Sequence, residues 1–458
     1  MAKATDLCAY ALREADKLGA DEAEAYLVTK ETLTIRLANS QILESKGMLE
    51  TGIGVRTVKG KAIGFSCTNM TDREEIKGTV SRAISLGAIA GPTMHWTGFP
   101  SKEKPPALPG LYDKKTEDCS LEDAVEAAAR MLSAALDYRK TSVEVSGSLN
   151  VIKQTAQIEN SNGVKLSTKE TIVVGSTTSE ISEGEAVAGG IGFHATRALS
   201  GFEAEKVGIQ STRMAFESMN AKKVEPGDYT FIMEPYAAGD IFGFVFERNM
   251  ISKAYQEGVS CYSEKLGQQV ADPTLTIYDD PHYPEAIGSK SFDEEGVPTR
   301  RTPLIEKGVF SKVLYDTYHA SRDGKESTGS ALRGRGPYGR SHELPAPSSH
   351  NISVQKGSWT KEELIRETKR GLLVGRLWYT WPVNPVKGDF STATKAGVYL
   401  VENGEVKHPV RMVRLYDNLV RVLSKIDVAD DAKHVCQWFS PPVVTPTIRF
   451  DGGRATPI

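Results

Sequence analysis

Catalysis by a chain like this needs a metal cage, an activated nucleophile or an acid–base pair. Its eight histidines and five cysteines leave few places to build one. The tightest grouping is His434-Val435-Cys436. An imidazole and a thiolate so close could both reach zinc, but a zinc site needs three or four ligands and the neighbouring sequence supplies two. A buried structural cysteine beside a surface histidine is the plainer reading. Asp293-Glu294-Glu295 could pair acids for hydrolysis or hold a hard cation, yet Gly296 follows directly and the run reads as a loop tip. Asp279, His282 and Ser289 or Ser291 have the residue types of a triad, but no G-x-S-x-G elbow accompanies them. Ser327 and Thr328 lie among Gly324, Gly329, Gly334, Gly336 and Gly339, without the G-K-[ST] that would cradle phosphate. Trp359, Trp378, Trp381 and Trp438 are core material by default, although Trp378-Tyr379-Thr380-Trp381-Pro382 is dense enough for an interface.

The elements that would position these groups fall into two halves. Residues 4–18 carry Leu7, Ala11, Ala15 and Leu18 at helical spacing and close on Gly19. Segments 32–37, 42–44, 51–58 and 62–65 alternate apolar and polar residues, as in a half-buried antiparallel meander. A helix over 72–86 follows, capped by Thr71 or Asp72. The order then repeats: a helix over 121–137, strands over 142–151, 154–160, 164–175 and 186–196, and a helix over 201–219. A helix–meander–helix unit occurring twice, at about 1–90 and 120–220, points to a duplicated N-terminal domain. The Pro- and Gly-rich 91–119 reads as a surface connection. A boundary at Val224-Glu225-Pro226-Gly227-Asp228 separates residues 1–224 from a β-rich domain, 225–458, with helices near 236–254, 360–371 and 416–426. Asn403-Gly404 is its clearest hairpin turn. The fold class expected is α+β.

At 458 residues the chain is too long for one ordinary core. Its 56 Lys and Arg against 59 Asp and Glu give a net charge of −3, which removes the electrostatic motive for nucleic-acid binding. Arg333, Arg335 and Arg340 cluster among glycines and read as a solvated loop. No apolar run is long enough to span a bilayer, and the first residues lack a signal-peptide core. The cysteines are scattered and odd in number, as in reduced thiols, so the expected compartment is the cytoplasm.

Several segments, in order, resemble the TldD/PmbA family (PmbA is also called TldE). They are Glu264-Lys265-Leu266-Gly267-Gln268-Gln269-Val270, Leu275-Thr276-Ile277-Tyr278-Asp279-Asp280-Pro281, and Phe292 to Arg300 running on through Leu304 to Val309. Tyr315 to Arg322, Ser327-Thr328-Gly329 and Gly388-Asp389-Phe390-Ser391 follow. Gly52-Ile53-Gly54-Val55-Arg56 and Gly64-Phe65 extend the likeness into the first half. The resemblance implies a two-subunit cytosolic metallopeptidase in which TldD-type chains carry H-E-x-x-x-H on a helix plus a distant cysteine. There the histidines hold zinc and the glutamate polarises water.

Counted from the matching Pro235, the first histidine falls on Gly243, the glutamate on Phe244 and the second histidine on Arg248. Glycine and phenylalanine cannot ligate or act as a base, and arginine adds a fixed positive charge. The resemblance therefore implies a PmbA-type chain with no metal or catalytic residue of its own, working with a zinc-bearing TldD-type partner on unfolded peptide or protein. Self-pairing into a homodimer is the other expected assembly. Arg300, Arg322 and Thr328, within the matching segments, and Trp378 and Trp381 are the candidates for lining a groove or interface. Two alternatives stand beside this reading. One is a peptidase whose own metal is held by His434, Cys436 and another histidine; the other is a homodimeric peptide-binding module without catalysis. The family's association with DNA gyrase finds no support in the charge balance.

Overall fold

In the computed structural model, residues 7–138, 142–184, 186–334, 339–435 and 440–458 are described. The first half builds one six-stranded antiparallel sheet. Helix α1 (Leu7–Lys17) precedes β1 (Glu22–Ala38), β2 (Gln41–Lys59) and β3 (Ala62–Thr68), and α2 (Arg73–Ala90) follows. After the short α3 (Lys114–Glu117) the order recurs as α4 (Leu121–Asp137), β4 (Val143–Asn160), β5 (Lys165–Glu183), β6 (Ala186–Thr196) and α5 (Ala204–Glu217). The strand order β3-β2-β1-β4-β5-β6 joins the two meanders along β1 and β4, which pair from Glu24↔Asn160 to Leu37↔Gly147.

Local chemistry sets these boundaries. Asn39 and Ser40 turn β1 into β2 with φ of 50° and 58°, the positive pair that a two-residue hairpin of matching twist requires. Asp72 caps α2 through the Glu75 amide, and Ser120 and Asp123 form a reciprocal capping box on α4. The duplication shows in the packing too. A Cβ on Gly64 of β3 would fall 1.8 Å from the Ala83 carbonyl of α2, and one on Gly192 of β6 would fall 1.8 Å from the Val207 carbonyl of α5. Each repeat thus lays its closing helix directly on a strand glycine. Helices α1 and α2 bury Ala11, Ala15, Ile76 and Val80 against Leu27, Ile53 and Val55. Helices α4 and α5 bury Ala127, Met131 and Val207 against Ile35, Leu149 and Val173.

The second half is β-rich. Strand β7 (Gly227–Met233) lies between Arg370–Asn384 and Ile448–Pro457, in a sheet continuing through Val413–Asn418, Asp389–Glu402 and Glu405–Pro409. Because Arg370–Asn384 also pairs with Asp389–Glu402, five of these strands close into a ring. A second sheet runs Val309–Phe310, Thr302–Glu306, Ile277–Asp279, Ile352–Val354, Val443–Thr445 and Lys433–Val435. The architecture is the expected α+β: duplicated helix–meander–helix units, then a β-rich part with a few helices.

Some expectations need correction. Strand β4 is a single strand, and β1 begins at Glu22 rather than near 32. Glu-Ala-Glu-Ala has weak strand propensity, but pairing on both sides overrides it. The expected surface connection 91–119 buries Trp96 and Phe99 against Val58, and its Thr97 hydroxyl bonds that of Ser321 at 2.8 Å.

Candidate functional site

The site's foundation is the helix after β7. Pro235 sits in the first turn of α6 (Pro235–Asp240), where its missing N–H costs nothing. The helix widens to a π turn over Ile241–Phe246 and ends as α7 (Glu247–Met250), so the single helix expected over 236–254 is broken. It is apolar nearly all round, with Ala237, Ala238, Ile241, Phe242, Val245 and Phe246 all buried, as suits a helix inside a core. The π turn has a geometric meaning. On a regular α-helix, positions five apart diverge by about 140°, whereas i→i+5 bonding, here Glu247 N–H to the Phe242 carbonyl, brings them over one another. Gly243 and Arg248 are five apart, so the scaffold that an H-E-x-x-x-H stretch needs is present without its ligands.

The residues at these positions do not fit a zinc ion. A Cβ on Gly243 would lie 3.1 Å from Ser440 Cβ and 3.4 Å from Val443 Cγ2, so that side is filled by the strand packed against it. Phe244 offers no donor. The Arg248 guanidinium lies 4.5 Å from the Trp381 ring centroid, a cation–π contact where the second histidine would stand. Among the described residues, no three His, Cys, Asp or Glu side chains are grouped to hold a metal. Cys436 lies outside the described residues. His434, expected at the surface, has a buried Nε2 with no hydrogen-bond partner among the described residues, and Lys433–Val435 is a strand paired to Val443–Thr445. Burial, with Arg197 and His194 nearby, pushes its pKa down to about 3.

Around the helix the structure assembles groups that sequence alone did not join. Glu247 is buried and its Oε1 accepts from Ser348 Oγ at 3.3 Å and the Ser349 amide at 3.4 Å. Asp240 is buried near Arg376, and desolvation lifts its pKa well above the usual carboxylate range. A cleft of about 470 Å³ is lined by Glu247, Ile251, Leu332, Arg340, Glu343 and Leu344 among others. The triad types stay apart. Asp279 accepts the His350 and Asn351 amides, His282 bonds Thr299, and Ser289 donates to the Tyr283 carbonyl.

The larger surprise is the seam between the two halves. Glu24 on β1 receives Arg56 on β2 through two bonds of 2.9 and 2.6 Å, and the buried Arg333 also pairs with Glu24. Arg56 reaches on to Glu295 at 2.8 Å, while Lys290 pairs with Glu294 at 2.7 Å. Asp293-Glu294-Glu295 does lead into a turn, as read, but a buried one, and Arg333 is no solvated loop residue: all four are buried, while Arg335 lies outside the described residues. Gly296 does make a turn, with φ of 84°, but charge pairing holds that turn inside. The glycines of Gly52-Ile53-Gly54-Val55-Arg56 have a matching cause. Cβ atoms there would lie 2.3 Å from Ser341 Oγ and 2.2 Å from the Ser341 carbonyl, respectively. The signal lay in the family-matching segments themselves, since two of them, far apart in sequence, meet here.

The groove candidates divide. Trp378 and Trp381 share the strand Arg370–Asn384 and are 42% and 56% exposed, with Arg376 over Trp378 and Arg248 over Trp381. Thr328 braces its own turn, accepting the Tyr315 amide. Arg300 and Arg322 are exposed. Among the described residues no hydrogen bond, ion pair or ring contact joins these three to the tryptophans, and none of the five lines the cleft.

The fold defines a class: a two-part α+β protein with a duplicated helix–meander–helix half and a β-rich half built round a buried, π-widened helix. The sequence profile of the PmbA/TldA metallopeptidase C-terminal domain matches residues 226–456, and that of PmbA/TldA metallopeptidase domain 1 matches residues 23–87. The chain belongs to the TldD/PmbA family. Relatives include the metalloprotease PmbA homolog of Haemophilus influenzae, 25% identical over 93% of this chain and 91% of that one. The metalloprotease TldD homolog of Buchnera aphidicola is 23% identical over 87% and 83%. Such near-equal identities do not choose between the branches. Among solved structures, TldE from Thermococcus kodakarensis superposes with a TM-score of 0.88 at 22% identity, covering 97% of this chain and 98% of that one. A putative modulator of DNA gyrase from Thermotoga maritima follows at 0.86 and 21%, covering 98% and 99%.

Proposed function

We propose that this chain is the metal-free, PmbA/TldE-like subunit of a cytosolic metallopeptidase complex that degrades or processes unfolded peptides and proteins. One observation carries the reading. The helix keeps the π turn that the motif spacing demands, yet a close-packed glycine and a tryptophan-stacked arginine stand where the histidines would be. A TldD-type partner supplies zinc, the activated water and the general base. This chain supplies shape: a wall for extended peptide and a docking face that includes Trp378 and Trp381. The test is reconstitution. Purified chain should be inert alone, contain less than stoichiometric zinc, and raise cleavage of an unfolded peptide when mixed with a TldD-type subunit. Equal cleavage by that subunit alone refutes the accessory role.

A second reading rests on the buried Nε2 of His434, unpartnered among the described residues: a non-standard centre built from His434, Cys436 and a further histidine. Stoichiometric zinc that disappears in Cys436→Ala would establish it.

A further inference from the structure

Between the two halves lies a buried cation whose neighbours only partly occupy it. Arg197 directly follows β6 and is 3% exposed. Of its five N–H groups, those on Nη2 go to the backbone carbonyls of Ala286, Ile287 and Ser289. One on Nη1 goes to Glu170 Oε2 at 3.3 Å. The Nε group and the second N–H of Nη1 find no acceptor among the described residues. Glu170 is a weak counter-ion, because the same oxygen also accepts from Gln154 Nε2 at 3.0 Å. Arg197 therefore differs from Arg56. Two carboxylates raise the pKa of Arg56, whereas desolvation outweighs Glu170 and lowers that of Arg197. A buried guanidinium in that condition is stabilised by a further anion.

Arg197 lines a cavity of about 90 Å³. Leu108 and Leu111 of the 91–119 connection wall it from the first half, and His282, Glu285 and Ala286 wall it from the second. A cavity of about 150 Å³ takes benzene, so this one takes a head group of about four non-hydrogen atoms. Gly110 and Glu285 are exposed and mark its open side, where more chain could continue. His282 contributes an acceptor. The Thr299 hydroxyl gives its own proton to the Lys290 carbonyl, so the His282 Nε2–H is the donor in the 3.0 Å contact between them. That leaves a lone pair on Nδ1 of the neutral ring.

We propose that this cavity binds the α-carboxylate of an amino acid or of a peptide's last residue. The carboxylate meets the unspent donors of Arg197, and the nitrogen on the same carbon donates to His282 Nδ1. Phosphate fits worse, since a dianion would face a partly neutralised cation, a lone pair and the Glu285 carboxylate. An apolar group would leave the guanidinium without its anion. The cavity shares no lining residue with the cleft beside Glu247. This inference goes beyond the accessory-subunit reading and does not depend on it.

The test is calorimetric titration of the purified chain with N-acetylglycine, standing for a peptide terminus, and with glycine, standing for a free amino acid. At least one should bind at one site per chain. N-acetylglycinamide, which lacks the carboxylate, and acetate, which lacks the nitrogen, should bind about tenfold or more weakly. In the unaltered chain the Arg197 Nε–H resonance should shift on saturation, a readout that needs no variant to fold. His282→Ala, checked by circular dichroism, should weaken binding about tenfold. Glu285→Gly suits the backbone there, whose φ is 62°. Preference for glycine that is lost in Glu285→Gly identifies a free amino acid, and preference for N-acetylglycine that survives it identifies a peptide terminus; both uphold the site. Binding of neither ligand, equal binding of the amide, tighter binding of inorganic phosphate, or an Arg197 resonance that stays still overturns the proposal. So does a folded His282→Ala with unchanged affinity.

Discussion

Removing Arg56 is the sharpest test of how the two halves are held. Its side chain is 5% exposed and makes two bonds to Glu24, which is fully buried, and one to Glu295, also fully buried. Burial alone would lower the arginine's pKa, but the two carboxylates outweigh it and raise it. Arg56→Ala leaves Glu24 to Arg333 alone and Glu295 to the Thr317 amide at 2.7 Å, with negative charge uncompensated in a dry seam. Breaking a buried pair from one side costs about 3–5 kcal/mol, and loss of packing over Phe99, 4.9 Å from the guanidinium carbon, adds to it. The expected result is a lower urea midpoint at pH 7 and faster proteolysis at the seam. A double-mutant cycle with Glu295→Gln should return a coupling of about 1–3 kcal/mol. A loss below about 1 kcal/mol, the value of an exposed pair, would show that the seam is hydrated and would refute the reasoning.

Gly54→Ala should destabilise by about 1–3 kcal/mol through overpacking against the Ser341 carbonyl, whereas Gly227→Ala, whose Cβ would meet nothing, should be nearly neutral; urea midpoints distinguish them. Burial pushes the His350 pKa from 6.5 down to about 4, so its stabilisation is complete above pH 6.5 and is lost as pH falls through about 4. At about 1.36 kcal/mol per decade of proton concentration that is about 3 kcal/mol, and His350→Gln should flatten this part of the pH–stability curve. The combination Gly243→His, Phe244→Glu and Arg248→His should still fail to bind stoichiometric zinc by elemental analysis, because Ser440 and Val443 occupy the space at 243. Trp381→Ala should cost the fold about 0.5–1 kcal/mol of cation–π contact while weakening capture of a TldD-type partner about tenfold in a binding titration.

Periodicity carried much of the fold. The bounds of α4, Leu121–Asp137, matched the apolar spacing and its cap, and the break between segments 32–37 and 42–44 is where Asn39 and Ser40 turn the chain. What pattern could not show was long-range charge pairing. Arg333 looked like a loop residue because glycines surround it, and only Glu24, more than three hundred positions away, explains its burial. The same holds for Glu295, in a turn of the second half, whose partner Arg56 lies on β2 of the first. At the candidate site, the missing donors were legible as residue types. The π turn was not, since hydrophobic spacing in a helix buried on every side does not record where it widens. Exposure of Trp378 and Trp381 was likewise invisible to composition.

The seam also limits how this protein moves. Glu24, Arg56, Glu295 and Arg333 tie both halves through charges that cannot separate without entering water one by one, and Ser341 fills the glycine channel behind them. The two halves therefore travel as one body rather than swinging about a hinge. Any widening of the cleft beside Glu247 then has to come from its own lining rather than from parting of the two halves.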